Sequence, residues 1–195
     1  MNAPLDDELI DRFVGTFCML DSTQCFTHEH PPPEEFDAGV DPSDWQLIRW
    51  RPARVEVGAD VLAGFRNRLQ MTLPPLYERL ICSWRWPEVE LGRIRLFANP
   101  PGPDLASLAE RILREPVFCG HLVANGFIPF AFEGSYDPVC FDLNHRRLDG
   151  DCPIVAFEHE AMLSFDRVGE SWTRWSSFRQ LMTETIEEAA DQADV

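Results

Sequence analysis

Four residues near the start of the chain have the side chains of a tetrahedral zinc site. Cys18, Cys25, His28 and His30 supply two thiols and two imidazoles, which are the ligand types that zinc prefers. Their spacing matches none of the common zinc patterns, and three consecutive prolines follow His30. The same four residues are also explained, without a metal, as two cysteines in the core and two histidines in a loop. We predict no metal and no cofactor, and keep a zinc site at these four residues as an alternative.

A second segment, DLNHRRLDGD at residues 142–151, has the alternating oxygen side chains of a calcium loop. Arg146 and Arg147 stand where further ligands would be needed. Two cations at these positions would oppose a bound divalent ion. The segment is therefore predicted to be a turn without a metal.

Covalent catalysis would need a nucleophile next to a base, and Cys119, His121 and His159 are the residue types for it. The sequence contains no G-x-S-x-G elbow, no phosphate-binding P-loop and no G-x-G-x-x-G fingerprint. The sequence HEAML, which begins at His159, lacks the second histidine of a metalloprotease helix. We predict that the protein is not an enzyme.

Carboxylates are the most abundant charged side chains in the sequence. The 195 residues contain 33 Asp and Glu and 17 basic residues, all of them arginine, for a net charge of −16. Residues 1–44 hold eleven acids and one arginine, and residues 181–195 hold five acids and no base. An acidic surface of this kind attracts a basic partner and repels nucleic acid. A solvating surface that only favours solubility is the alternative.

The acids predicted to contact a partner fall in two groups. The first lies in the proline-rich arm and the second in loops between apolar runs, where an aromatic residue is expected to act as an anchor. The predicted partner-binding residues are Glu34, Glu35, Asp37 and Asp41 in the arm, and Glu133, Tyr136, Asp137, Asp149 and Asp151 in the loops. Arg49, Arg51 and Arg54 form a basic strip whose simplest explanation is pairing with the acidic N-terminal arm.

Helices and strands must position these loops. Apolar spacing predicts helices over residues 5–20, 59–70, 74–84, 104–115 and 177–190. Pro74 and Pro75 suit a first helical turn, and Ser177 with Gln180 forms a capping box. Strands are predicted over residues 45–57 with an interruption at Pro52, 89–97, 127–133, 138–144, 152–158 and 162–168. Since Trp84 and Trp86 cannot share one helical face, at least one of them should lie outside the helix.

The order of these elements, helices first and then a run of strands with a closing helix, predicts an α+β fold. We expect a single domain with an antiparallel or mixed β-sheet flanked by helices. We expect residues 1–45 to form an acidic N-terminal helix and a proline-rich arm, and residues 46–195 to form the main α+β domain, both within one globular unit. The acidic N-terminus and the absence of a long apolar run predict a cytoplasmic protein that does not bind membranes.

Four segments, in this order, resemble motifs of the SUKH superfamily, the Smi/Knr-type proteins. LPPLYERLI resembles that family's Leu-Pro-x-x-Tyr helix start, and FIPFAFEGSYDPVCFDLN resembles its strand pair. CPIVAFEHE is similar to the following strand with its trailing His-Glu, and SFRQLMTETI resembles the closing helix. The resemblance covers about residues 72–190. The sequence departs from the family at 83–86, where Ser-Trp-Arg-Trp replaces Asn-Gly-Gly, and in the longer insertion 101–126.

This resemblance implies a SUKH-like α+β domain over residues 46–195 and, in bacteria, an immunity protein that binds and neutralises a toxin. Many such toxins are nucleases with basic surfaces, which an acidic binder would suit. We therefore predict a non-enzymatic cytoplasmic immunity-type protein whose partner is its cognate toxin. The eukaryotic relatives in the family imply the alternative, a regulatory scaffold or small-ligand-binding module of the same fold.

Overall fold

The computed structural model describes residues 3–17, 26–27, 37–41, 44–100, 104–165 and 167–193. These residues form a single-domain α+β structure, as the sequence predicts. Its helices are α1 (Ala3–Gly15), α2 (Ala59–Leu69), α3 (Pro75–Ser83), α4 (Ala106–Leu113), α5 (Pro116–His121), α6 (His159–Phe165) and α7 (Phe178–Ala193). No helix within these ranges combines the length and the apolar character required to cross a membrane.

All strand pairs in the described residues are antiparallel. The first five strands are β1 (Phe26–Thr27), β2 (Asp37–Asp41), β3 (Asp44–Trp50), β4 (Ala53–Arg54) and β5 (Trp84–Arg85). They form a three-stranded sheet of order β1-β3-β2 and a short β4-β5 ribbon. The other six are β6 (Val89–Leu91), β7 (Ile94–Leu96), β8 (Phe127–Glu133), β9 (Asp137–Asp142), β10 (Ile154–Phe157) and β11 (Ser171–Trp175). They form the main sheet, in which neighbours in space are also neighbours in the chain.

The beginning of α3 shows how one carboxylate organises two helices. Pro75 occupies the first helical turn, where its missing N–H costs nothing. The buried Glu78 carboxylate accepts from the Leu73 backbone N–H at 3.1 Å and from Nε and Nη2 of Arg66 at 2.9 and 2.5 Å. These bonds satisfy the buried charge and tie α2 to α3, because Arg66 lies on α2. The Glu78 carboxylate also raises the pKa of Arg66.

Aromatic rings fill the space between the main sheet and the helices α1, α3 and α7. Tyr77 of α3 lies 5.0 Å from Phe141 and 5.3 Å from Phe178, measured between ring centroids. Phe130 stacks on Phe141 at 4.2 Å, and Phe13 of α1 meets Phe178 at 6.2 Å. All five rings are buried. Helix α1 therefore belongs to the main core, although the sequence groups it with the acidic arm.

A β-bulge in β8 lets that strand serve two packing layers. Pro129 pairs with Cys140 and Ala131 pairs with Val139, so Phe130 is an extra residue on its strand. Phe130 contacts Tyr77 and Phe178, whereas Phe132 contacts Phe97 and Phe118 on α5. Simple alternation would place Phe130 and Phe132 against the same layer.

Several predicted elements are confirmed in outline. Helices α2, α3, α4 and α7 and the β8–β9 hairpin lie within about three residues of the predicted bounds. Pro52 separates β3 from β4, as its missing N–H suggests. Trp84 and Trp86 both lie outside α3, one in β5 and one bridged to Asn99.

Other predicted elements are wrong. The segment 89–97, expected as one strand, is the β6–β7 hairpin, because Gly92 adopts a positive φ of 61° and reverses the chain. The segment 162–168, expected as a strand, lies mostly in α6, whose Ala161 and Met162 are buried. Further elements without a counterpart in the prediction are α5, β11 and the strands β1 and β2, which lie in the segment expected to be a loop.

Candidate functional site

The β8–β9 hairpin carries an aromatic residue in an unfavourable backbone conformation. The backbone of Tyr136 has φ = 95°, a conformation that residues other than glycine rarely adopt. Its side chain is 55 % exposed, although its ring meets Phe132 edge-on at 5.5 Å. A strained, half-exposed tyrosine at a hairpin tip is typical of a residue that contacts something else.

Tyr136 forms one edge of a cavity of about 350 Å³, which we call the Tyr136 cleft. Phe97, Phe118 and Phe132 supply an apolar floor, and the half-exposed Leu163 of α6 also lines it. Arg111 and Arg114, from the end of α4, complete the wall. The bulge in β8 is necessary for this arrangement, because it directs Phe132 toward this layer.

A shared carboxylate orders the arginines of the cleft. Glu88 Oε1 lies 3.2 Å from Arg95 Nε, and its Oε2 accepts a hydrogen bond from Arg111 Nη2 at 3.2 Å. The Arg111 guanidinium lies 4.7 Å from the centroid of the Phe97 ring, and the Arg95 guanidinium lies 5.0 Å from that of Tyr136. These cation–π contacts hold both guanidinium groups in fixed planes.

The two sides of the Tyr136 cleft are joined by Asp137 and His159. Asp137 Oδ1 accepts from the His159 backbone N–H at 3.0 Å and lies 2.7 Å from His159 Nδ1. Asp137 follows Tyr136 directly, and His159 is the first residue of α6, which carries Leu163. The pair therefore links the hairpin to α6 and supplies a hydrogen-bond acceptor at the start of this helix.

The predicted loop acids occupy different positions from those expected. Glu133 is largely buried and forms an ion pair with Arg174 at 2.7 Å, so it faces the molecule's own arginine. Asp151 is buried, and its Oδ1 accepts from the N–H groups of Cys152 at 2.9 Å and Phe178 at 3.2 Å. Asp149 is exposed, with Arg147 Nη2 at 3.1 Å.

Of the predicted loop residues, only Tyr136 and Asp149 combine high exposure with a position at a turn. Asp137 is partly exposed but engaged with His159. In the arm, Asp37 and Asp41 are the end residues of β2, and Glu34 and Glu35 lie outside the described residues.

Of the predicted basic strip, Arg54 binds an acid of helix α1, and the expected pairing with the arm stays a prediction, because the side chains of the arm lie outside the described residues. Arg54 binds Asp11, and Asp11 also accepts from Trp84 Nε1 at 3.2 Å. Arg79 lies 2.7 Å from Asp7. These ion pairs attach α1 to the rest of the domain.

The chemistry considered for the cysteines and histidines is not assembled in the described residues. Cys18, Cys25, His28 and His30 lie outside them, and no group of three or more metal-binding side chains is found within them. Two effects raise the pKa of the Cys119 thiol, chiefly its burial and to a smaller extent the negative charge of the nearby Glu115. An activated catalytic thiol has a lowered pKa, so this environment disfavours a Cys119 thiolate.

Neither a protein-family model nor a curated protein matches this sequence. The four segments that resemble the SUKH superfamily lie in α3, the β8–β9 hairpin, the stretch from β10 into α6, and α7. They are adjacent parts of the main sheet and its helices. Membership of that family stays a prediction.

Sequence reasoning found Tyr136 but missed the rest of the cleft. Arg111, Arg114 and Glu88 were not singled out, although Arg111 and Arg114 lie off the apolar stripe of the predicted helix. That spacing was a usable signal for a basic helix face. The pairing of α4 with Phe132 had no signal, because the bulge cannot be read from alternation.

Proposed function

We propose that this chain is a non-catalytic, immunity-type protein that binds and neutralises a toxin in the cytoplasm, with the Tyr136 cleft as its contact surface. The observation that carries the proposal is the half-exposed Tyr136 at φ = 95°, beside a cavity with an apolar floor. Tyrosine and arginine next to a pocket are the residue types that dominate binding energy in protein interfaces. The ordered resemblance to SUKH motifs supports the same conclusion.

The net charge of −16 supports a basic partner such as a nuclease toxin. Exposed acids follow one face of α7 at helical spacing, namely Glu184, Glu187, Glu188 and Asp191. Such a surface accelerates the approach of a cationic protein, and salt screens the effect. In this proposal the acids steer the partner while the Tyr136 cleft supplies the short-range contacts.

The test uses the toxin encoded beside this protein's gene, measured for binding and for rescue of toxin-expressing cells. Tyr136→Gly should weaken binding at least tenfold and reduce rescue. Its melting temperature should change little, because glycine relieves about 1–3 kcal/mol of backbone strain while contacts of similar worth are lost. Leu148→Gly, which removes an exposed apolar side chain from a different turn, is the matched control.

Equal binding by Tyr136→Gly and the wild type would remove the Tyr136 cleft from the proposal. Absence of both complex formation and rescue would overturn the immunity function itself. A second candidate, a small-ligand-binding module, is favoured by the cavity size, since ligand pockets begin at roughly 300 Å³. A metabolite that raises the melting temperature of the wild type but not of Tyr136→Gly would support that alternative.

A further inference from the structure

The Tyr136 cleft has a local charge opposite to that of the whole chain. Two arginines, Arg111 and Arg114, line it with one carboxylate, Glu115. Arg95 lies beside it, next to Glu88 and its strand partner Glu90. Glu88 is shared between Arg95 and Arg111, so one of these two cations is not neutralised by it. Arg114 is exposed and forms no ion pair with any residue in the described ranges. The cleft is therefore cationic on a protein of net charge −16.

The arginines retain hydrogen-bond donors for a ligand. A guanidinium has five N–H groups, and the bond from Arg111 Nη2 to Glu88 uses one of them. Arg95 Nε, by contrast, is shielded from solvent and lies 3.2 Å from Glu88 Oε1, so this atom is not one of the donors open to a ligand. Stacking on aromatic rings fixes the guanidinium planes, which lowers the entropy lost when an anion binds.

The cationic surface continues beyond the cleft along α4. A second cavity, of about 560 Å³, shares Arg111 and Arg114 with the first and adds Arg68, which pairs with the lining residue Glu110 at 3.1 Å. One ligand segment can therefore place an apolar side chain on the phenylalanine floor and a carboxylate against the arginines. A basic segment would meet these arginines with like charge.

We propose that the Tyr136 cleft docks a segment of a partner protein in which an aromatic or aliphatic side chain lies next to a carboxylate. The inference rests on the proposed function for the existence of a protein partner, and it specifies the partner's local chemistry. A partner that is basic overall would present an acidic-apolar segment at this point. The apolar group supplies affinity, and the carboxylate fixes orientation through charge-assisted hydrogen bonds.

The probe is a phage-displayed library of random heptapeptides selected on the full chain, in parallel with selections on three variants. Wild-type selection should enrich peptides with an apolar residue adjacent to Asp or Glu. Tyr136→Ala and Arg114→Glu should lose this enrichment. Arg12→Glu is the matched control, since Arg12 is also an exposed arginine near a helix end and should leave the enrichment unchanged.

A selected peptide is then synthesised with its acid replaced by the corresponding amide. The amide form should bind about tenfold more weakly, and raised salt should narrow the difference. Circular dichroism establishes that each variant is folded, and Arg114→Gln serves as a milder second variant. Enrichment of basic peptides, of peptides without charge preference, or of none that depend on Tyr136 would overturn the inference.

Different experimental results would contradict the proposed function and this inference. Neutralisation of a toxin that is sensitive to Tyr136→Gly, together with a library that enriches basic peptides, would retain the proposed function and remove this inference. An acidic-apolar motif that depends on Arg114, with no toxin bound or neutralised, would support the inference and remove the immunity function.

Discussion

Individual carboxylates in this protein have structural roles at helix starts that their charge alone does not predict. Asp137 and Asp151 were both predicted to face a partner, yet each accepts a hydrogen bond from the first backbone N–H of a helix. These N–H groups have no partner within their own helix, and the helix dipole favours a negative charge beside them. An acid in a turn is therefore ambiguous until the helix that packs against it is known.

Replacement of Asp151 by alanine should destabilise the protein by about 2 kcal/mol. The change leaves the buried N–H groups of Cys152 and Phe178 without their acceptor and removes a negative charge from the start of α7. Urea unfolding followed by tryptophan fluorescence measures the effect. Glu187→Ala, an exposed change on the same helix, should stay within about 0.5 kcal/mol of the wild type. Equal stability of the two variants would contradict the capping role.

At the scale of elements, helix α6 depends on a contact made far away in the sequence. It has only seven residues, too few to be stable alone, and its last three, Leu163, Ser164 and Phe165, are exposed. Buried Ala161 and Met162 and the acceptor Asp137 hold it against the sheet. Because Leu163 of this helix lines the Tyr136 cleft, the stability of α6 controls the shape of the cleft.

Asp137→Ala should loosen α6 without unfolding the domain. Amide hydrogen exchange in residues 159–165 should rise at least tenfold, which corresponds to a loss of about 1.4 kcal/mol of local stability. Exchange in α7 should be unchanged. Ser135→Ala, in the same turn, is the control and should leave α6 protected. A uniform rise in exchange across all elements would indicate global destabilisation and contradict a local role.

The accuracy of sequence-based prediction also differs among elements. Helices with a long apolar stripe and a clear start, such as α3 with Pro75 and α7 with Ser177, could be predicted well. The Ser177 hydroxyl accepts from Gln180 N–H at 3.1 Å as expected, while the Gln180 side chain accepts from the Ser176 N–H instead of that of Ser177. Periodicity gives no such guidance for seven residues of α6 or two short strands around Gly92.

The Tyr136 cleft could be predicted only in part, for a related reason. A turn composition with an aromatic residue identified Tyr136. The positions of Phe132 and Arg111 depend on the bulge at Phe130 and on how α4 packs against β8, and both are set by tertiary contacts. The acids were misjudged because charge alone does not tell whether a carboxylate faces solvent or a helix start.

The whole molecule carries no lysine, so its charge at high pH depends on few groups. Arginine stays protonated up to pH values above 12. Burial raises the pKa of the Cys152 thiol to about 12 and that of Cys140 well above its ordinary value. Burial also raises the pKa of Tyr77. These groups keep their protons in the folded state at pH values where the unfolded chain releases them.

Stability should consequently fall as pH rises above about 9, the ordinary thiol pKa. A group with a raised pKa contributes its full stability below the unfolded pKa, and this contribution is lost progressively as the pH rises from the unfolded to the folded pKa. In that range each fully buried thiol should lower the free energy of unfolding by up to about 1.4 kcal/mol for every pH unit. Urea unfolding between pH 8 and pH 10.5 measures the slope, and Cys152→Ala should reduce it. An unchanged slope in that variant would contradict the assignment.

The extra residue at Phe130 shifts the alternation of side chains between the two faces of the sheet by one residue, so the two halves of β8 alternate in opposite phase. Substitution of Phe130 or Phe132 would remove one ring from one layer. Loss of the Phe130 codon alone would remove the extra residue but leave the pairs of Ala131 with Val139 and of Phe132 with Pro138 in register, so Phe132 would keep its side of the sheet while the core would lose one ring. Insertion of one residue between Ala131 and Phe132 would instead turn Phe132 to the opposite face of the sheet, away from the Tyr136 cleft. We therefore expect β8 to tolerate the loss of its extra residue better than the gain of another.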